Sequence, residues 1–175
     1  MNHQTAFLIG FMGSGKTSLG KRAANQLGWE FVDLDHWIEA KVGKTVPVIF
    51  EEMGESAFRD MEREALEALS EPAQTPRLIS CGGGTPCYGD NMALINRLGT
   101  SVYLRQRLGI LTQRLTQQRA GRPMLSAVPA DELPTFIREL LTKREPYYLQ
   151  AHHVLSDEEL TVAGIVGALQ GRSLS

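Results

Sequence analysis

Apolar positions in this chain fall into short continuous runs separated by stretches with helical spacing. Residues 6–9 are wholly apolar and read as a buried strand. Residues 17–27 place Leu19, Ala23, Ala24 and Leu27 on one helical face, and Gly28 is a natural stop. Residues 30–35 alternate, which predicts a second strand ending in two acids, Asp33 and Asp35. Further strands are expected at 78–81, 101–104 and 153–155, with helices at 58–69 and 157–169. Strands alternating with helices predict a three-layer α/β sandwich around a mainly parallel sheet. The chain shows no repeat, low-complexity segment or linker, so one domain over 1–175 is expected.

The first strand runs into Gly10-Phe11-Met12-Gly13-Ser14-Gly15-Lys16-Thr17, the pattern G-x-x-x-x-G-K-[ST], and the next helix begins inside it. That context identifies a phosphate-binding loop. Glycines let backbone N–H groups of Gly13, Ser14 and Gly15 approach an anion, and the helix N-terminus adds partial positive charge. Lys16 is expected on the β/γ-phosphates of ATP, and Thr17 on Mg²⁺. Asp33 and Asp35, two apart on the expected strand, would face one mouth of the sheet. Asp33 then reads as a Mg²⁺ ligand, direct or through water, and Asp35 as a contact to an acceptor hydroxyl; a helix N-cap at Asp35 is the alternative.

Along residues 58–69 the apolar stripe of Phe58, Met61, Ala65, Leu66 and Leu69 also contains Glu62, bordered by Arg59. A carboxylate on a buried face is costly unless paired, so Glu62 reads as the partner that aims Arg59 into a pocket. A half-exposed helical salt bridge is the plainer alternative. Three consecutive glycines, Gly82, Gly83 and Gly84, follow the next strand and suggest close backbone approach to a ligand. Between residues 91 and 130 there is no Asp or Glu but six arginines, among them Arg114, Arg119 and Arg122. Its centre, residues 117–126, reads as a mobile lid closing over transferring phosphate; a solvated basic face is the alternative, and describes Arg97, Arg105 and Arg107. Arg144, before Pro146, is expected at a helix terminus.

Composition narrows the picture further. The net charge of -2 gives no general attraction to nucleic acid or anionic membrane, and no apolar run approaches a membrane span. The N-terminal residues lack a basic region, so no signal peptide is expected. Two cysteines without metal or redox spacing fit a reduced cytoplasm.

Together these motifs make the chain resemble the shikimate kinase family. The resemblance spans about residues 6–148 and rests on GFMGSGKT, the DLD at 33–35, FRDME at 58–62, ISCGGG at 79–84, GRPML at 121–125 and KREPYY at 143–148. It implies a P-loop kinase with a central P-loop strand in a five-stranded parallel sheet, acting as a monomer on ATP and shikimate with Mg²⁺. Arg59 and Arg144 would grip the shikimate carboxylate, and Asp35 would meet the ring hydroxyls and take the proton from the attacking one. Glu62 and the glycines Gly82, Gly83 and Gly84 would border the acceptor, with Phe50 and Phe58 as apolar walls. Lys16 and Arg122 would clamp the phosphates, and Arg114 would stack on adenine. Pro86 departs from the aliphatic residue usual after the glycines. A gluconate kinase, or a nucleotide-sensing P-loop protein of little activity, are the alternatives.

Overall fold

The computed structural model of the chain describes residues 4–119 and 123–171. Five strands, β1 (Thr5–Ile9), β2 (Glu30–Asp33), β3 (Arg77–Ser80), β4 (Thr100–Arg105) and β5 (His153–Ser156), form one sheet in the order β2-β3-β1-β4-β5. Every pairing is parallel; β1 sits at the centre, with Ala6 opposite both Leu78 and Thr100. A central parallel strand is covered on both faces, which is why β1 is apolar without alternation.

Alternate side chains nonetheless feed two separate cores. Phe7, Ile9, Ile79 and Tyr103 point to one layer, and Ala6, Leu8, Leu78, Val102 and Leu104 to the other. The second layer is closed by α1 (Lys16–Leu27) and α8 (Val162–Leu169), which supply Ala23, Ala24, Ile165 and Val166. Helix α1 lies close to the sheet at Gly20, where a Cβ would come within 2.6 Å of the Phe31 ring and 2.7 Å of Leu8. The opposite layer holds α3 (Val46–Leu69), α4 (Asn91–Leu98), α5 (Leu108–Gln117) and α7 (Leu133–Tyr148), and short α6 (Pro123–Ser126) adds Leu125.

The expected α/β sandwich is therefore present, with several boundaries moved. Strand β2 stops at Asp33, because that carboxylate caps α2 (Leu34–Val42) by accepting from the His36 N–H at 3.2 Å. Asp35 is thus in the first helical turn rather than on a strand, and the N-cap is Asp33, not Asp35. The helix expected at 58–69 is the second half of α3, which kinks at Gly54 (φ 84°). Helix α7 runs two residues beyond Pro146 instead of ending before it. Proline there removes only one N–H in the final turn, while fully buried Tyr148 holds that turn to the core. Of the lid expected at 117–126, residues 120–122, including Arg122, lie outside the described residues. On its flanks, Arg119 donates to the carbonyls of Leu125, Ser126 and Val128.

Candidate active site

The phosphate loop joins β1 to α1 at the carboxyl edge of the sheet. Gly13 and Gly15 have φ of 80° and 97°, conformations that side chains with a Cβ rarely adopt. Gly15 is the N-cap of α1 and provides no side-chain acceptor, so the first N–H groups of the helix remain directed at the loop's interior. Lys16, only 9% exposed, folds across the loop and donates to the carbonyls of Gly10 (2.7 Å) and Phe11 (3.0 Å). From across the loop, Arg114 donates to the Gly13 carbonyl at 2.9 Å.

A cavity of about 730 Å³ opens over this loop, lined also by Thr17, Asp33, Asp35, Gly82, Gly83 and Arg114. Residues that the sequence separates by up to a hundred positions thus share one wall. The Thr17 hydroxyl lies 3.4 Å from Asp33 Oδ2, so a hydroxyl and a carboxylate are paired at the floor. Both are hard oxygen donors, and such a pair fits Mg²⁺, which takes its remaining ligands from water and phosphate.

Asp35 is the electrostatically unusual member. Its Oδ1 is buried and has no hydrogen-bond partner among the described residues. Burial first, then repulsion from Asp33, Glu62 and Glu39, pushes its carboxyl up to about 6, with Lys16 opposing. A carboxyl that ionises there has the basicity to take up a proton near neutral pH.

Beside Asp35 the triple-glycine segment makes the second half of the site. Glu62 is 1% exposed, which decides for the buried pair over the surface salt bridge. Its Oε2 accepts from Arg59 at 2.7 Å and its Oε1 from the Thr85 hydroxyl at 2.5 Å. Glu55 holds the rest of the Arg59 guanidinium, at 3.2 Å. Arg144, 9% exposed, lies 5.8 Å above the Phe11 ring. Among the described residues no carboxylate is within ion-pair distance of it.

The glycines explain how these groups fit. A Cβ on Gly82 would stand 3.4 Å from Asp35 Oδ1, one on Gly83 would stand 3.1 Å from an Arg144 terminal nitrogen, and one on Gly84 would stand 2.6 Å from an Arg59 terminal nitrogen. The segment is a thin wall with the Asp35 carboxylate at one end and two guanidiniums along the rest. Pro86 sits in a short 3₁₀ turn, Thr85–Cys87, where its missing N–H costs no bond in the loop.

Not every expected residue borders the main cavity. Arg59, Glu62, Gly84 and Arg144 stand behind its Gly82–Gly83 edge. Phe50 and Phe58 pack against one another with their rings tilted by 44° and centroids 4.8 Å apart, with Arg59 over Phe58 at 5.7 Å, rather than lining it. Sequence reasoning passed over Thr85, Tyr148 and the cavity-lining His36 and Glu39. A hydroxyl directly after the glycines, and a tyrosine one helical turn after Arg144, were the available signals.

The chain matches the family model described as shikimate kinase over residues 12–169. A shikimate kinase of Bacteroides thetaiotaomicron is 44% identical over 154 residues, 88% of this chain and 87% of that one. A crystal structure of shikimate kinase from that species aligns with a TM-score of 0.84 at 40% identity, covering 96% of this chain and 97% of the other. Shikimate kinase from Acinetobacter baumannii, solved in complex with shikimate, also aligns at 0.84, with 32% identity and coverage of 99% and 97%.

Proposed function

This chain belongs to the shikimate kinase family, and on that premise we propose how its residues carry the reaction. The activity is transfer of the γ-phosphoryl of ATP to the 3-hydroxyl of shikimate, giving shikimate 3-phosphate and ADP on the route to chorismate and the aromatic amino acids.

The N–H groups of Gly13, Ser14 and Gly15 and the start of α1 bind the phosphate chain, with Lys16 close enough to exchange its carbonyl contacts for phosphate oxygens. Thr17 and Asp33 would hold Mg²⁺, which would supply charge neutralisation to the phosphates. Arg114 braces the loop on the nucleotide side, where adenine would lie against it. Arg122, outside the described residues, is assigned to the transferring phosphate.

Asp35 accepts the proton of the attacking hydroxyl at its unpartnered Oδ1. Arg59 and Arg144 take the acceptor carboxylate. One observation supports this reading: along three successive glycines lie, in order, the Asp35 carboxylate, the Arg144 guanidinium and the Arg59 guanidinium. An acceptor with a hydroxyl at one end and a carboxylate at the other fits that wall. The alternatives give no reason for paired guanidiniums there.

A coupled assay of ADP release with shikimate, with gluconate and with no acceptor tests the assignment. Turnover dependent on shikimate alone is expected; acceptor-independent or gluconate-dependent turnover would overturn it. The same proposal takes the enzyme as a cytoplasmic monomer with one catalytic domain, in keeping with two free thiols, Cys81 and Cys87. No helix among the described residues is long and apolar enough to cross a membrane.

A further inference from the structure

The glycine wall needs support from behind, since a Gly-Gly peptide turns over at little conformational cost. All three carbonyls of the segment are fixed, the last of them, on Gly84, by the Cys87 N–H at 3.0 Å, and the first two aim the N–H groups of the wall. The Gly82 carbonyl accepts from the Thr85 N–H at 3.1 Å, and the Gly83 carbonyl accepts from the Tyr148 hydroxyl at 2.5 Å. Because a peptide is planar and trans, fixing a carbonyl aims the following N–H the opposite way. The first bond therefore orients the Gly83 N–H and the second orients the Gly84 N–H.

Tyr148 is fully buried, its ring tilted against Tyr103 with centroids 5.1 Å apart. It stands one turn after Arg144 on α7, and the Arg144 guanidinium faces the same phenol, its charge opposing the upward push of burial on the hydroxyl. The phenol oxygen thus meets the wall at the same glycine, Gly83, that the Arg144 guanidinium lies against. The Cys87 thiol, 3.9 Å from both the Gly83 and Arg144 carbonyls, is too weak a donor to replace it.

We propose that Tyr148 is a positioning residue for the acceptor: its hydroxyl ties the Gly83–Gly84 peptide to the Arg144-bearing turn of α7, so that wall and guanidinium meet the acceptor carboxylate in one register. This rests on the acceptor site assigned above and deepens it.

Tyr148→Phe keeps the ring against Tyr103 and removes only the tie. The expected result is a KM for shikimate raised about five- to tenfold, the size of one lost hydrogen bond. The kcat and the KM for ATP should stay within about twofold, and the melting midpoint should be little changed. With a shikimate analogue whose carboxylate is reduced to a primary alcohol, the ratio of variant to parent KM should fall toward one. Tyr103→Phe, which removes a hydroxyl on Glu145 rather than on the wall, should leave the KM for shikimate unchanged. An unchanged KM for shikimate in Tyr148→Phe overturns the proposal, as does an equal rise for the alcohol analogue. A collapsed melting midpoint, or a parallel rise in the KM for ATP, makes Tyr148 a folding residue and overturns it too. If the parent enzyme does not turn over shikimate at all, the acceptor assignment itself fails and the proposal for Tyr148 falls with it.

Discussion

Asp35 occupies the first turn of α2 with one oxygen shut away from solvent and from any donor among the described residues, and with three other carboxylates acting on it. A carboxyl that ionises at 3.8 when unfolded and at about 6 when folded binds more protons folded than unfolded between those two values. Stability therefore falls as pH rises through that window, and the deficit is complete above it. At pH 7.5 the ionised form costs the folded state about 3 kcal/mol. Asp35→Asn keeps the shape and removes the charge. In the ligand-free protein, urea unfolding at pH 7.5 should show the variant more stable by about 1–3 kcal/mol, the gain shrinking toward zero by pH 4. The same variant should lose about 10²- to 10⁴-fold in kcat, because the proton acceptor is gone. For the parent enzyme, kcat/KM should decline as pH drops below about 6. A variant less stable at pH 7.5, or a gain that persists undiminished at pH 4, would refute the view of Asp35 as a strained, unpaired base.

Three more outcomes are expected, each read by steady-state kinetics. Arg59→Lys and Arg144→Lys should each raise the KM for shikimate by about tenfold or more with the KM for ATP nearly unchanged, since an ammonium cannot reproduce a forked contact; a loss confined to ATP would remove the carboxylate grip. Gly84 has φ of -90°, so alanine is allowed by the backbone, yet its Cβ would stand 2.6 Å and 2.9 Å from the two terminal nitrogens of Arg59. Gly84→Ala should therefore mimic loss of Arg59 in the KM for shikimate, and an unchanged KM would show that the guanidinium does not work from where it lies. Arg122→Ala should lower kcat by about 10²-fold; unchanged turnover would return it to a solvated basic face.

All five strands were legible because each is a short run with its own period, though their order in the sheet was not, and the P-loop fixed one strand–helix junction outright. What failed was local competition. The stretch from Glu30 to Asp35 alternates like a strand, but a capping bond from Asp33 to the His36 N–H wins over two more ladder residues. The first half of α3 went unread because Gly54 breaks its period. The pairing of Arg59 with Glu62 was legible since both lie on one helix, whereas Thr85 as the second donor to Glu62 depends on a long-range contact with no periodicity behind it.

The triple glycine shows where reading a motif stops short of reading its mechanism. Its sequence points to backbone brought close to a ligand, and Gly82 and Gly83 do border the cavity. The closest approach to an added Cβ, however, comes from the Thr85 hydroxyl at Gly82, from Arg144 at Gly83 and from Arg59 at Gly84, and none of the three has a φ that demands glycine. The requirement is space for side chains arriving at the segment, above all the guanidiniums of α3 and α7. That requirement orders the costs of substitution. A Cβ at Gly82 meets its nearest neighbour, the Thr85 hydroxyl, at 3.0 Å, and one at Gly83 meets the Arg144 guanidinium at 3.1 Å, both near the limit a small shift can relieve. At Gly84 the obstacle is a guanidinium at 2.6 Å that is already tied to Glu62 and Glu55 and has nowhere to retreat. The wall is thinnest where the buried ion pair leans on it, so on the acceptor assignment proposed above, the carboxylate grip depends on α3 as much as on the loop itself.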